Sequence, residues 1–207
     1  MTLHVAAYDL SLTSTGYARI GQDGQVRTFV KPTDPVEGDH ATATRIWAIA
    51  GWCMRQLTEN TALVVLEAPS FGSEHGQQHE RSALWWAVRR GLAVRRRPDG
   101  TPLPVGRIAP ATLKARVAGN GRASKADMRK AVAKLYPGQG LHRVTYDEAD
   151  AVGLALLGVI RLRWPGPWLG GHAPDSAGVF EHLPDLEQPA ATGSTATLTD
   201  PFRMATS

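Results

Sequence analysis

The sequence is short of cysteine, of long apolar runs and of histidines spaced to bind metal. Its single cysteine, Cys53, cannot close an intramolecular disulfide or build a cysteine-based zinc site, so a reducing, cytosolic setting is expected. The longest uninterrupted apolar run, Ala151 to Ile160, has ten residues, too few to cross a bilayer. Met1–Leu10 carries no basic segment ahead of a long apolar stretch, so neither a signal peptide nor a membrane partner is expected. Ser11, Ser14 and Ser70 lack the companions that acyl transfer needs, and His75, His79 and His142 are scattered. What remains is a chain of 207 residues, 43% hydrophobic and 20% charged, with a formal net charge of +4. That apolar share is enough for one core and excludes a wholly disordered chain.

The charge is unevenly spread. From Arg163 to the end two basic residues face five acids, a balance of −3. Arg89 to Lys134 holds thirteen basic residues against Asp99 and Asp127 alone, a balance of +11. A strip of that density suits a polyanion such as nucleic acid, because every phosphate it neutralises releases condensed counterions. The strip includes Arg95-Arg96-Arg97, which belongs to no motif.

Hydrophobic periodicity supplies the architecture. Leu3–Asp9, Gly16–Ile20 and Val26–Val30 read as three strands, with a hairpin turn at Gln22-Asp23-Gly24. Apolar positions at Ala43, Ile46 or Trp47, Ala50, Met54 and Leu57 recur with the helical period. The continuously apolar Ala62–Leu66, ending in Glu67, reads as a strand covered on both faces. A helix between two strands predicts a parallel crossover. Further helices are predicted over Gln77–Arg90, Pro110–Ala118, Lys125–Tyr136 and Tyr146 to about Arg163, with a strand over Leu103–Ile108. Thr145 and Glu148 fit a capping box at the start of the last helix. The expected fold is α/β, a five-stranded mixed sheet with helices on both faces. Residues 1–163 form the expected domain, and 164–207, with six prolines and a Thr/Ala/Ser-rich stretch, an expected disordered acidic tail.

Asp9 and Glu67 stand at the carboxyl ends of predicted strands, where α/β sheets place their ligands. Asp147 and Asp150, three apart, share one face of the last helix, and Leu154 continues that face into apolar packing. Taken singly, these acids have ordinary readings as a turn former, an arginine partner or a complement to a helix dipole. Together they describe an oxygen-rich site suited to Mg²⁺ or Mn²⁺. An acidic metal site flanked by cations points to phosphodiester chemistry, with two ions about 4 Å apart across the scissile phosphate.

Four segments of the chain carry a resemblance. Val5-Ala6-Ala7-Tyr8-Asp9 runs on through Leu10-Ser11-Leu12-Thr13-Ser14 to Thr15-Gly16. Val64-Val65-Leu66-Glu67 is the second segment. Lys114 and Lys125 flank Gly119-Asn120-Gly121, and Asp147-Glu148-Ala149-Asp150-Ala151 opens the last helix. In order and spacing these segments resemble the RuvC-type Holliday junction resolvases of the RNase H-like superfamily, in a form similar to bacteriophage resolvases. The resemblance implies an RNase H-like fold and a metal-dependent endonuclease that resolves four-way DNA by paired, symmetric hydrolysis. It implies two Mg²⁺ ions per site, with Mn²⁺ substituting, bound by Asp9, Glu67 and Asp147 or Asp150, and no organic cofactor. It implies a homodimer in the cytoplasm of a bacterial cell, including as a phage-encoded protein. DNA contacts fall by analogy to Lys114 and Lys125, with Arg116 and Arg122 beside them. Phe71, one position from the family's base-stacking aromatic, falls in the loop after Glu67. The alternatives are a nuclease of the same fold acting on other branched DNA or RNA–DNA hybrids, and a non-catalytic junction-binding protein.

Overall fold

A computed structural model describes residues 2–69 and 77–164. Phe71 and all of the expected tail except Trp164 lie outside the described residues. The chain runs β1 (His4–Asp9), β2 (Ser14–Gly21), β3 (Val26–Pro32), α1 (Asp39–Gln56), β4 (Thr61–Glu67) and α2 (Gln78–Ala93). It continues through β5 (Val105–Ile108), α3 (Pro110–Ala118), α4 (Lys125–Leu135) and α5 (Tyr146–Arg161). One short 3₁₀ turn, Leu141–Arg143, precedes α5.

The sheet has the order β3-β2-β1-β4-β5. β1–β2 and β2–β3 are antiparallel, while β1–β4 and β4–β5 are parallel. This is the mixed sheet expected from an opening meander followed by strand–helix alternation. The hairpin turn forms as read, with Gly24 in the left-handed region and Asp23 Oδ1 accepting from the Gln25 N–H at 3.1 Å. β5 begins two residues later than predicted, because Arg96 bridges Pro102 and the chain first closes a turn through Gly100.

Side chains on alternate faces of β1 feed two separate cores, the period-two consequence of a pleated strand. Val5 and Ala7 pack with Leu63, Val65 and the apolar body of α5, whereas Ala6 and Tyr8 pack with Val64, Leu66, α1 and α2. α5 is buried continuously from Ala149 to Ile160 because the sheet covers one side while Leu113 of α3 and Met128 of α4 cover the other. A helix that is apolar all round belongs in such an interior position. Contact with the sheet is close enough that a Cβ on Gly158 would lie 2.6 Å from Val5 Cγ1. On the other face, the Tyr8 hydroxyl donates to the Cys53 carbonyl at 2.6 Å and ties β1 to α1.

Candidate active site

The parallel β1–β4 register pairs Tyr8 with Leu66. Asp9 and Glu67 therefore follow side by side at the carboxyl ends of adjacent strands, the edge where open α/β sheets bind ligands. Across the other edge of β1, Asp9 pairs with Gly16. A Cβ built on Gly16 would stand 2.1 Å from the Asp147 carbonyl oxygen and 2.4 Å from its carbon. Only glycine lets the first turn of α5 press so closely on the meander. That approach carries Asp147 and Asp150 toward the two strand-end acids.

Local capping then sorts the acids of α5. Thr145 Oγ1 accepts from the Glu148 N–H at 3.2 Å, and Glu148 Oε2 accepts from the Thr145 N–H at 2.9 Å. This reciprocal pair is the predicted capping box, so Glu148 is committed to the helix end. A second box opens α4, where Ser124 and Asp127 satisfy one another's backbone N–H groups. It fixes Lys125 as the first residue of α4, and Lys125 Nζ donates to Asp147 Oδ1 at 2.9 Å. The two groups form an ion pair. Asp9, Glu67, Asp147 and Lys125 line one pocket of about 240 Å³, and Arg81 and Trp85 of α2 belong to the same lining.

The electrostatics of this pocket are strained in one direction. Asp9 is only 9% exposed, and its carboxyl is pushed well above the usual range by burial and then by Glu67, Asp150 and Asp147, with Lys125 pulling the other way. Glu67 is raised to about 7 by burial and Asp150, against a hydrogen bond with Asp9 and the charges of Lys114 and Lys125. Asp150 rises to about 6 through burial, partly offset by Lys125 and Lys114. Lys125 keeps its proton more firmly than usual, because the cost of its burial is outweighed by Asp147, Asp9 and Asp150 together. Desolvated like charges of this kind cannot all ionise without a compensating cation.

The donor set fits a divalent ion. Asp150 Oδ1 is buried and has no hydrogen-bond partner among the described residues, a costly state that a cation relieves. All four candidate ligands are carboxylates, as hard cations prefer. Among the described residues no three His, Cys, Asp or Glu side chains converge tightly enough to hold an ion unaided. An open set is what Mg²⁺ uses, since it keeps several waters and shares its shell with substrate phosphate.

The structure thus brings Asp9, Glu67, Asp147, Asp150 and Lys125 together. Lys114 on α3 acts at longer range, lowering the pKa of Glu67 and Asp150. Arg116 is half-buried at the end of α3 and Arg122 is exposed in the α3–α4 turn, and neither lines the pocket. Three residues outside the expected site residues contribute. Arg45 of α1, buried, donates to the carbonyl of Leu12 and so pins the turn that follows Asp9. Trp85 Nε1 donates to the Glu67 carbonyl at 3.0 Å and locks α2 to the end of β4. Arg81 lies on the same face of α2, four residues earlier. Helical spacing could have grouped Gln78, Arg81, Ser82 and Trp85, but only the fold shows which way that face points.

No family model and no curated protein matches the chain. Solved structures do. The structure of Thermus thermophilus RuvC is similar at 21% identity and a TM-score of 0.57, covering 78% of this chain and 98% of that one. T. thermophilus RuvC in complex with a Holliday junction substrate is similar at 20% identity and a TM-score of 0.59, covering 78% and 95%. The five-stranded order, the helices on both faces and this likeness over nearly the whole length of those proteins establish the architecture. The chain has the RNase H-like α/β fold of the RuvC type.

Proposed function

We propose that this protein is a divalent-metal-dependent endonuclease that resolves four-way DNA junctions, acting as a homodimer on paired, symmetric phosphodiesters. The observation that carries the reading is the buried carboxylate cluster, with Asp150 Oδ1 unpartnered and Glu67 raised to about 7, at the strand-end edge of an RNase H-like sheet. A protein that merely held DNA would be penalised by such a cluster, which repels phosphate unless a cation intervenes. The similarity to a RuvC solved on a Holliday junction supports branched DNA as the substrate class. Trp86 of α2, 65% exposed, offers an apolar anchor for a second copy.

In this reading Asp9, Glu67, Asp147 and Asp150 hold the metal. When bound, Mg²⁺ supplies activation of a water and stabilisation of charge on the phosphate. The residues of the chain supply the rest. Burial keeps bulk water from the acids, Gly16 and Trp85 fix the elements that carry them, and Lys125 places a positive charge at the rim where a phosphate enters. Lys114 adds a second, more distant charge.

A synthetic mobile junction with both strands labelled tests the proposal. With Mg²⁺ the protein is expected to cut two strands symmetrically, and Asp9→Asn to lower the rate by at least about a thousandfold while junction binding persists. Equal cutting of linear duplex would remove the junction reading. Faster cutting of forks, flaps or RNA–DNA hybrids would replace the substrate, and binding without hydrolysis under any divalent ion would leave a junction-binding protein.

A further inference from the structure

Asp9, Glu67, Asp147 and Lys125 supply part of the pocket lining, and α2 supplies another part. Gln78, Arg81, Ser82 and Trp85 line it, at the spacing of one helical face. Trp85 is 5% exposed and bonded to the Glu67 carbonyl, so the wall is rigidly set against the strand end that delivers Glu67. Arg81 is exposed and projects from this wall into the same pocket as three carboxylates. It nonetheless forms no ion pair with any of them among the described residues, whereas Lys125 across the pocket does.

That asymmetry assigns different tasks to the two cations. Lys125 is held to Asp147 and offsets the acids. Among the described residues no side chain takes the Arg81 guanidinium donors, and a guanidinium fork matches the two free oxygens of a phosphodiester better than it matches a carboxylate already facing another cation. We infer that Arg81 is a substrate-binding residue, contacting the backbone phosphate of the nuclease's DNA strand from the α2 wall so that the strand is gripped between Arg81 and Lys125. The inference rests on the nuclease reading for the identity of the ligand. Arg81 lies outside the basic strip that begins at Arg89, so the DNA track extends across the pocket to a part of the chain with little net charge.

The test uses the full-length protein and a labelled four-way junction with Ca²⁺ in place of Mg²⁺, titrated over a range of salt concentrations. Loss of one phosphate contact is expected to weaken binding about tenfold and to reduce the slope of log affinity against log salt by about one. Arg81→Ala should show both, Arg81→Lys should recover the slope with only part of the affinity, and Arg55→Ala, exposed at the end of α1 and outside both the basic strip and the pocket lining, should show neither. Divalent-ion binding measured calorimetrically without DNA should be unchanged in Arg81→Ala. An unaltered slope in Arg81→Ala, or an equal loss in Arg55→Ala, overturns the inference while wild-type junction binding stands. If the wild type itself does not bind junctions, the nuclease reading fails first.

Discussion

The arginines at 95–97 and the lysines at 114 and 125 belong to one cationic stretch, yet the fold uses them differently. Arg95 donates to the Met54 carbonyl at 3.2 Å and Arg97 to the Ala62 carbonyl at 3.0 Å, fastening the α2–β5 connection to the end of α1 and the start of β4. Arg96 bonds to the carbonyls of Ala93 and Arg95 at 3.1 Å. These guanidinium groups spend donors on backbone carbonyl oxygens. Lys125 faces carboxylates, and Lys114 perturbs the same acids. A sequence count gives every cation in the strip equal weight. The fold divides them into cations that complete the backbone and cations that shape the site.

The sharpest way to test that division is to remove the site cation. Lys125→Ala takes away the charge nearest Asp147 and is expected to slow junction cutting on the order of a hundredfold, the scale of losing one charge-stabilising donor in a closed site. Cleavage rates at saturating Mg²⁺ check this. A rate within twofold of wild type would place Lys125 with the structural cations.

Arg97→Ala should act on the fold and leave the site alone. The lost hydrogen bond to Ala62 is expected to cost about 1 kcal/mol, moderated because Arg97 Nε is itself buried without a partner. Urea denaturation measures the cost, and the salt slope of junction binding should not move. A reduced slope would return Arg97 to the DNA surface and erase the contrast with Lys125.

How much of this was legible in the sequence differs between the elements and the site. The strands, the parallel crossover and the Thr145–Glu148 box follow from period and capping chemistry, which are local. The pairing of Asp9 with Glu67 follows from two strand ends and one inferred crossover, and it is reproduced in the β1–β4 register. The Ser124–Asp127 box had a local signal as well, since Ser-x-x-Asp before a helical run is a start pattern. What could not be read were contacts made by orientation. Gly16 looks like a turn residue until α5 is seen packed on it, and Arg45 sits in an amphipathic helix with nothing local to say that it reaches the Leu12 carbonyl. The α2 face opposite the acids is hidden for the same reason.

The smallest expected effect concerns the stability of the metal-free protein, and it separates the two regions by pH. Glu67, ordinarily near 4.5, is raised to about 7 in the fold, and Asp150, ordinarily near 3.8, to about 6. Both therefore bind protons more tightly folded than unfolded. The stability they contribute is fully present below their ordinary values and is lost as pH rises through about 6 to 7. Without divalent ions the melting midpoint should fall across that window, and Glu67→Gln should flatten the decline because the amide carries no charge to be repelled. Mg²⁺ at neutral pH should recover the midpoint, since an ion bound by the folded state alone stabilises it by mass action. The Arg95–Arg97 contacts are made to backbone carbonyls, so Arg97→Ala should shift the whole curve down without changing its shape. A flat wild-type curve, or an Mg²⁺ effect that survives Asp9→Asn undiminished, would show that the acids are not coupled through the pocket and that the cations facing them differ from the arginines only in position.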